Sequence, residues 1–342
     1  MKIVLTGGGT LGSVSPLIAI WQSLLLKKGE PQVLFIGTKH GPEKEFLLQY
    51  PSIKFNYIPV GKLRRYFSWQ NLLTPFFLLA AFLKSYFILS QFKPDVIISA
   101  GGFVAVPVIW AGKILKIKIM IHQLDLEPTL SNILVKKIAD TITVTFAKSL
   151  ADFKNQNPVL VGSLIREEVA LTNNIVKNNR PTVLFLGGGT GAAALNELSV
   201  KTTTILNQIE FWQVTGKNKF NPEANQLDNF LAFEFLNQDY YSRLKQADLI
   251  ISRAGLSTLM ELSYLGKPTI IIPIPASQQV ENAVYFSDRG AAVYLNQDGL
   301  TPELLADKIK ALINNQVELD KLSDKIEKIM MHGGEQKIAD LI

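Results

Sequence analysis

Two short glycine-rich turns constrain the fold of this chain more than any other sequence feature. Gly7–Thr10 follows the apolar run Ile3–Leu5, and Gly187–Thr190 follows the apolar run Val183–Leu186. An apolar strand that enters a helix through glycines is typical of the first βα unit of an open parallel sheet. Glycines there let backbone N–H groups approach an anion at the helix N-terminus. The duplication predicts two domains of the same kind.

Composition agrees with two domains and excludes some classes of site and partner. The 342 residues suffice for two hydrophobic cores, and the absence of cysteine excludes disulfides and thiolate metal ligands. We expect no metal site and no cofactor. The net charge of +6 predicts an acidic partner, which charge alone leaves open between nucleic acid, anionic lipid and a phosphorylated substrate. Because the basic residues are scattered and no nucleic-acid-binding motif is present, we do not expect nucleic acid.

Strand-like runs alternate with helix-like segments along both halves. The runs are Ile3–Leu5, Gln32–Ile36, Asp95–Ser99, Lys118–Ile121, Thr141–Val144, Thr182–Leu186, Phe211–Val214, Leu231–Phe233, Leu249–Ile251 and Thr269–Ile272. This alternation predicts an α/β protein with two doubly wound parallel sheets facing a cleft. Polar segments near the middle place the domains at 1–163 and 164–342. Two helices are expected after Thr301, and the last is a candidate to cross back to the first domain.

An unusually apolar helix is predicted over residues 76–89. It is too short to span a bilayer, which takes about 20 apolar residues, and it is apolar on nearly every face. We expect it to lie in a membrane interface, where basic residues meet anionic headgroups and aromatic residues insert. A buried helix or a dimer interface remains the alternative. The residues predicted to meet the membrane are Arg64, Arg65, Trp69, Phe76, Phe77 and Phe82.

The first turn also contains a G-x-G-x-x-G spacing at Gly7, Gly9 and Gly12. A nicotinamide enzyme should carry an acidic residue at the end of the second strand, where it holds the ribose. Here Phe35-Ile36 is followed by Gly37-Thr38 instead. An oxidoreductase is therefore disfavoured.

A more specific cluster lies in the second half. Gly255–Thr258 is a helix start of mostly small residues after a strand, which suits a diphosphate. Glu261 follows Thr258 by one helical turn and could accept hydrogen bonds from both ribose hydroxyls. The amides of Gln278 and Gln279 could read sugar hydroxyls. This combination predicts a nucleotide-sugar site.

With these motifs the chain resembles the GT-B glycosyltransferases of family 28, the peptidoglycan N-acetylglucosaminyltransferases. The resemblance covers essentially the whole chain, and the segments at 253–261 and 278–282 are its most specific parts. It implies two Rossmann-like domains and inverting transfer of N-acetylglucosamine (GlcNAc) from UDP-GlcNAc to undecaprenyl-diphosphate-MurNAc-pentapeptide, converting lipid I to lipid II. It also implies a peripheral protein on the cytoplasmic face of the cell membrane.

The resemblance implies roles for particular residues. Phe235 and Leu236 would lie beside the uracil, Glu261 on the ribose, and Gln278 and Gln279 on the GlcNAc. The other expected donor contacts are Thr10, Gly12, Asn132, Arg166, Gly189, Thr190, Arg253, Leu256, Ser257 and Thr258. The loops expected to face the acceptor or phosphates contain Gly8, Gly9, Gly101 and Gly102.

The chain departs from the family pattern where the family has a histidine often proposed to be catalytic. Ser13 stands at that position, so the base must be elsewhere or the acceptor must differ. Asp125 is our leading candidate for the base, followed by His122 and Glu127, with Ser13 kept in the catalytic set. Helix capping by Asp125 and structural hydrogen bonding by His122 are the plain alternatives. Transfer to another lipid such as diacylglycerol, or a nucleotide-sugar-binding scaffold with weak turnover, also remains open.

Overall fold

The computed structural model describes residues 1–59, 74–171, 178–187, 192–216, 219, 227–236 and 239–342, with residues 74 and 75 as backbone only. It divides into two compact units. The first comprises Met1–Arg166 and Met331–Ile342, and the second comprises Glu167–Met330. The chain therefore leaves the first unit after Arg166 and returns to it at Met331.

The first unit is built on a parallel sheet. Its strands are β1 (Lys2–Thr6), β2 (Gln32–Thr38), β3 (Ile53–Ile58), β4 (Val96–Ser99), β5 (Lys118–Gln123), β6 (Thr141–Val144) and β7 (Val159–Leu160). They pair in the order β3-β2-β1-β4-β5-β6-β7. Its helices are α1 (Ser15–Lys28), α2 (Glu43–Phe46), α3 (Thr74–Phe92), α4 (Ala105–Ile114), α5 (Leu130–Val135) and α13 (Gly334–Leu341).

Helices cover both faces of this sheet. Successive side chains of a strand point to opposite faces, so Ile3 and Leu5 pack with α1 and α13, whereas Val4 packs with α3 and α4. Because both faces are buried, the strands read as continuous apolar runs rather than alternating ones. Those runs are why the strands could be recognised in the sequence.

The second unit repeats the plan. Its strands are β8 (Thr182–Leu186), β9 (Glu210–Val214), β10 (Phe230–Phe233), β11 (Leu249–Ser252), β12 (Thr269–Ile271) and β13 (Val293–Tyr294), all parallel, in the order β10-β9-β8-β11-β12-β13. Its helices are α6 (Glu167–Leu171), α7 (Ala193–Thr203), α8 (Tyr240–Gln246), α9 (Leu256–Tyr264), α10 (Gln279–Asp288), α11 (Pro302–Ile313) and α12 (Gln316–Glu327). The predicted fold class, two doubly wound parallel sheets, is confirmed.

The returning segment is tied to the end of the first unit by a compact set of hydrogen bonds. The Ser163 N–H donates to the Met331 carbonyl at 2.8 Å, and Ser163 Oγ lies 2.8 Å from Nδ1 of His332. The Ile165 N–H donates to Oε2 of Glu335 at 3.0 Å, and burial raises the pKa of this carboxyl group. The segment that ends in α13 is thereby fixed beside α1.

Three strands were not expected, and neither were the short helix α2 and a third helix after Thr301. β3 is an edge strand whose polar and half-buried residues hide the apolar pattern, and β7 and β13 have two residues each. After Thr301 three helices occur rather than two, because α13 is separated from α12 by a short turn around Gly333. Edge strands and very short strands carry too few buried residues for a period to be visible.

Candidate functional site

The strand order locates a candidate site in each unit. In an open parallel sheet, ligands bind beyond the carboxyl ends of the strands where the order reverses. In the first unit this point lies between β1 and β4, at the loops Gly7–Thr10 and Gly101–Gly102. In the second unit it lies between β8 and β11, where Arg253–Gly255 leads into α9. The predicted diphosphate contacts Gly189 and Thr190 lie outside the described residues.

The glycine loops of the first unit turn their N–H groups into the protein. The Gly8 N–H donates to Ser13 Oγ at 3.0 Å, and the Gly101 N–H donates to Ser99 Oγ at 3.1 Å. The Gly9 N–H donates to Oε2 of Glu43 at 3.2 Å. An anion-binding loop directs its N–H groups at the ligand instead. The geometry therefore argues against Gly8, Gly9 and Gly101 as direct phosphate ligands.

Glu43 is a fully buried carboxylate inside the first loop. Its Oε1 accepts hydrogen bonds from the N–H and the hydroxyl of Thr38, at 2.6 and 2.5 Å. A β-carbon at Gly8 or Gly41 would overlap the Glu43 carboxylate. Gly8 also has φ of +143°, which L side chains rarely adopt. Sequence reasoning missed Glu43, although the flanking Gly37 and Gly41 were a signal of close approach.

His122 does not suit the catalytic role considered for it. It lies on β5 with no exposed surface, and its ring nitrogens Nδ1 and Nε2 lie 3.0 Å from the hydroxyls of Thr143 and Thr145 on or just after β6. Burial lowers its pKa to about 3. An imidazole enclosed by the sheet cannot reach an acceptor hydroxyl. We therefore correct this assignment: His122 is a structural residue.

Ser13 is also unsuited to proton transfer. It ends the short 3-10 turn Leu11–Ser13, is buried, and its Oγ accepts the Gly8 N–H. The hydroxyl shapes the loop rather than facing solvent. Thr10 is exposed and Gly12 is half-buried at the same loop. Their predicted contacts with the donor stay predictions.

The loop after β5 holds the remaining candidate bases. Its shape is set by buried Gln123, whose side-chain amide donates to the carbonyls of Asp125 and Glu127 at 2.8 and 2.7 Å. Asn132 Nδ2 donates to Gln123 Oε1 at 2.8 Å and to the His122 carbonyl at 3.1 Å. With 1% exposure, Asn132 holds this loop rather than meeting the donor directly. Asp125 is half-buried and Glu127 exposed at the carboxyl edge of the sheet.

Arg166 packs within the first unit. Its guanidinium lies 5.1 Å from the centre of the Phe46 ring, and Nη1 donates to the Tyr50 hydroxyl at 3.4 Å. The residue stands at the point where the chain leaves this unit. Its predicted contact with UDP-GlcNAc is not tested by these contacts and remains a prediction.

In the second unit, α9 begins directly at the carboxyl end of β11. Its N-cap residue is Gly255, and Ser257 and Thr258 are half-buried in the first turn. Leu256 is only 3% exposed, so its side chain belongs to the core and only its backbone could meet a ligand. The N-terminus of a helix attracts an anion through its N–H groups and dipole.

Glu261 forms a buried cluster with two tyrosines that sequence reasoning did not single out. The Tyr240 hydroxyl donates to Oε2 and the Tyr241 hydroxyl to Oε1, both at 3.2 Å. Glu261 is 6% exposed. The two tyrosine hydroxyls therefore hold the carboxylate in place.

Arg253 braces the ends of neighbouring strands. Nη1 donates to the carbonyls of Ile272 and Pro273 at 2.8 and 3.0 Å, and Nη2 donates to Gln297 Oε1 at 2.6 Å. Burial lowers the pKa of the guanidinium. These bonds involve Nη1 and Nη2 and leave the buried Nε without a hydrogen-bond partner among the described residues. The geometry therefore gives Arg253 a role in joining the strand ends, and its predicted contact with the diphosphate stays a prediction.

Gln278 and Gln279 lie at the start of α10, where Gln278 is exposed and Gln279 is half-buried. Gln279 Oε1 accepts the Ile274 N–H at 3.2 Å. Asn282 Nδ2 donates to the Ala254 carbonyl at 3.0 Å, which joins α10 to the loop before α9. Phe235 is 50% exposed just after β10, as a base-stacking ring requires. Leu236 beside it is half-buried.

α3 presents two apolar faces. Ala81, Ser85, Ile88 and Leu89 are buried against the sheet and α4. At helical spacing on the other side, Phe76, Leu79, Leu83 and Phe87 are 57–72% exposed. Phe77 and Tyr86 widen this exposed stripe.

The structure tests only part of the predicted membrane set. Phe76 and Phe77 are exposed, whereas Phe82 packs against the core and lies off the stripe, which corrects its predicted role. Arg64, Arg65 and Trp69 lie outside the described residues. No helix in the described part of the chain is long and apolar enough to cross a bilayer.

Comparison with known proteins agrees with this architecture. Residues 3–144 match the glycosyltransferase family 28 N-terminal domain, and residues 182–339 match the family 28 C-terminal domain. The chain belongs to glycosyltransferase family 28. The first match contains strands β1 to β6, and the second contains β8 to β13 and continues into α13, which belongs to the first unit.

Individual relatives of this family 28 protein are similar over their full length. A Borrelia hermsii protein is 34% identical, covering 100% of this chain and 96% of its own length. A Clostridium perfringens protein is 34% identical, covering 100% and 97%. Both are named UDP-N-acetylglucosamine--N-acetylmuramyl-(pentapeptide) pyrophosphoryl-undecaprenol N-acetylglucosamine transferase. The crystal structure of Acinetobacter baumannii MurG shares the fold, with a TM-score of 0.75 at 24% identity over 100% of this chain and 98% of that one.

Proposed function

We propose that this family 28 glycosyltransferase moves GlcNAc from UDP-GlcNAc to a polyprenyl-diphosphate-linked MurNAc-pentapeptide, converting lipid I to lipid II. The observation that carries the proposal is full-length similarity, at about one third identity, to relatives named for this reaction. The buried Glu261–tyrosine cluster beside the start of α9 supplies the acceptor oxygens and helix N-terminus that a nucleoside diphosphate requires.

The donor site is assigned to the second unit. Glu261 binds the ribose hydroxyls, with its orientation kept by Tyr240 and Tyr241. The N-terminal turn of α9, with the hydroxyls of Ser257 and Thr258, receives the diphosphate. Gln278 and Gln279 read the hydroxyls of GlcNAc, and Phe235 covers the uracil. Arg253 acts through the strand ends that it joins.

The transfer is an inverting displacement in a single step. The acceptor hydroxyl attacks the anomeric carbon of GlcNAc, the bond to UDP breaks, and UDP leaves as the anion. Asp125, the leading candidate ahead of Glu127 on the same loop, accepts the hydroxyl proton. His122 and Ser13 are committed to structural bonds. The helix dipole of α9 stabilises the charge that develops on the diphosphate.

The exposed stripe of α3 docks on the cytoplasmic face of the membrane. The observation behind this is the row of large apolar side chains, Phe76, Leu79, Leu83 and Phe87, on the outer side of the helix. Apolar patches of this kind mark membrane or protein contacts, and the acceptor's polyprenyl chain requires a bilayer nearby. The net charge of +6 favours an anionic surface.

Turnover with a lipid I analogue tests the function. The purified protein is incubated with radiolabelled UDP-GlcNAc and a short-chain lipid I, and the labelled disaccharide product is separated. UDP-glucose and UDP-galactose replace the donor in parallel reactions, and diacylglycerol replaces the acceptor. We expect product only with UDP-GlcNAc and lipid I. Product on diacylglycerol would identify a different acceptor class, and binding of UDP-GlcNAc without any product would indicate a scaffold.

A further inference from the structure

The first glycine loop already contains an anion of its own. The Glu43 carboxylate is fully buried beneath Gly8 and Gly9, and its two oxygens accept three hydrogen bonds: one from the Gly9 N–H and two from Thr38. Accepting at both oxygens is what an ionised carboxylate does. The carboxylate thus accepts a loop N–H group that a bound phosphate would otherwise accept.

The surrounding glycines show how closely the loop fits this side chain. An added β-carbon at Gly8 or Gly41 would overlap the carboxylate, and one at Gly37 would lie 3.0 Å from Cγ of Glu43. Three glycines therefore make room for one glutamate. The Glu43 side chain thereby joins three segments: the end of β2, the start of α2 and the turn after β1.

The second loop rests on the first. A β-carbon at Gly102 would lie 3.1 Å from the carbonyl oxygen of Gly8 and 3.2 Å from its nitrogen. The Gly101 N–H is directed to Ser99 Oγ. A shift of the first loop would therefore be passed to the loop after β4. Both loops lie at the edge where the proposed base Asp125 stands.

We propose that Glu43 is a positioning residue for the acceptor side of the reaction: an internal anion that fills the first glycine loop, makes it a fixed surface for an uncharged part of the acceptor, and excludes phosphate from it. The inference rests on the proposed function, because it assigns the loop to the acceptor. A second anion placed against a buried carboxylate would be repelled in this low-dielectric setting. The acceptor's diphosphate must therefore bind elsewhere.

Phosphate exclusion is tested directly on the full-length protein labelled with ¹⁵N-glycine. Inorganic pyrophosphate is titrated while the amide resonances of Gly8, Gly9 and Gly101 are followed, with Gly255 as a reporter of the proposed donor site. We expect the three loop resonances to stay in place. A saturable shift at Gly8 or Gly9 would overturn the proposal. The behaviour of Gly255 reports only on the donor assignment, so the two ideas fail separately.

The positioning role is tested with Glu43→Gln, which keeps the shape but sets an NH₂ donor against the Gly9 or Thr38 N–H. We expect kcat/KM for the lipid I analogue to fall about 30-fold, while the Kd for UDP-GlcNAc stays within about twofold. Glu45→Gln, an exposed carboxylate on the same helix, is the matched control and should match the wild type. An unchanged kcat/KM in Glu43→Gln, or an equal loss of donor binding and turnover, would contradict the proposal.

A milder variant covers the case in which Glu43→Gln does not fold. Thr38→Val removes the hydroxyl that donates to Oε1 and keeps the backbone donor. We expect about a fivefold loss in kcat/KM for the acceptor with unchanged donor affinity, and faster hydrogen exchange at the Gly9 amide. Wild-type exchange at Gly9 would overturn the proposal even if the wild-type protein itself shows no turnover with lipid I, since exchange does not depend on activity.

Discussion

The two units share one strand order, but they differ at the point where that order reverses, between β1 and β4 in the first unit and between β8 and β11 in the second. In the first unit, the glycine loops direct N–H groups inward to Ser13, Glu43 and Ser99. In the second unit, the helix after β11 has Gly255 as its N-cap residue, without a side-chain capping hydrogen bond. Buried Glu261 accepts hydrogen bonds from the hydroxyls of two tyrosines. The same topology thus gives loops whose N–H groups are bonded within the protein in the first unit, and a helix N-terminus suited to an anion in the second.

This contrast shows why duplicated glycine turns do not imply duplicated function. A glycine turn permits close approach, but whether its donors meet a ligand or a side chain depends on what the neighbouring elements supply. Glu43, from the helix after β2, supplies an acceptor in the first unit. The variants below separate the two units by the quantity that each should change.

Asp125→Asn should produce the largest effect, confined to turnover. Removal of a general base lowers kcat by about 10²- to 10⁴-fold, and UDP-GlcNAc affinity, measured by calorimetry, should stay at the wild-type value because the donor is assigned to the other unit. Glu127→Gln, exposed on the same loop, is the control. A wild-type transfer rate in Asp125→Asn would remove it as the base.

Glu261→Ala should have the opposite primary effect to Asp125→Asn, a loss of donor affinity. Loss of a carboxylate that accepts from two ribose hydroxyls should weaken UDP-GlcNAc binding about 100-fold, at about 1.5 kcal/mol or more for each charge-assisted bond. Tyr241→Phe removes one supporting hydroxyl and should weaken binding less than Glu261→Ala. Calorimetry with UDP and UDP-GlcNAc provides the measurement. If Glu261→Ala binds both ligands normally, the donor site must be moved away from this cluster.

Substitutions in the exposed stripe of α3 should weaken only membrane association. Leu79→Gln with Leu83→Gln should lower binding to vesicles containing anionic lipid about tenfold, because each leucine gains about 1.5 kcal/mol or more on full burial and insertion is partial. Turnover with a water-soluble acceptor should not change. Vesicle co-sedimentation measures the partition. Leu48→Gln, exposed elsewhere on the first unit, is the control. Equal binding of wild type and double variant would exclude this face.

His122 should influence stability and not the reaction. Its pKa is lowered to about 3 by burial, from an ordinary value of 6.5. The unfolded chain therefore binds a proton that the folded chain does not between about pH 6.5 and pH 3, so acidification through this range lowers stability by about 1.4 kcal/mol per pH unit.

The measurement is simple because the chain has three histidines. In NMR spectra, the ring signals of His122 should not titrate between about pH 5 and pH 8. His122→Gln should flatten the dependence of urea unfolding on pH below about pH 6. A His122 signal that titrates near its ordinary pKa would show that the ring is accessible and reopen its catalytic assignment.

Much of the fold could be predicted from sequence because its strands are buried on both faces. Ile3–Leu5 and Val183–Leu186 are continuous apolar runs bounded by glycines, and such runs are visible within a short window. The donor cluster was equally local, since Gly255, Ser257, Thr258 and Glu261 lie on one helix start. By contrast, the edge strand β3 carries a mixed pattern and was missed.

The sequence by itself determined the two parallel sheets, the glycine turns at their switch points and the local grouping of the donor residues, because all of these depend on spacing along the chain. The tertiary structure decided which of the polar residues are free to act. It buried His122 between β5 and β6, bound Arg253 to the strand ends, and placed Glu43 inside the first glycine loop. These outcomes depend on donors and acceptors distant in sequence, and a buried polar group must satisfy its bonds wherever partners are brought within reach.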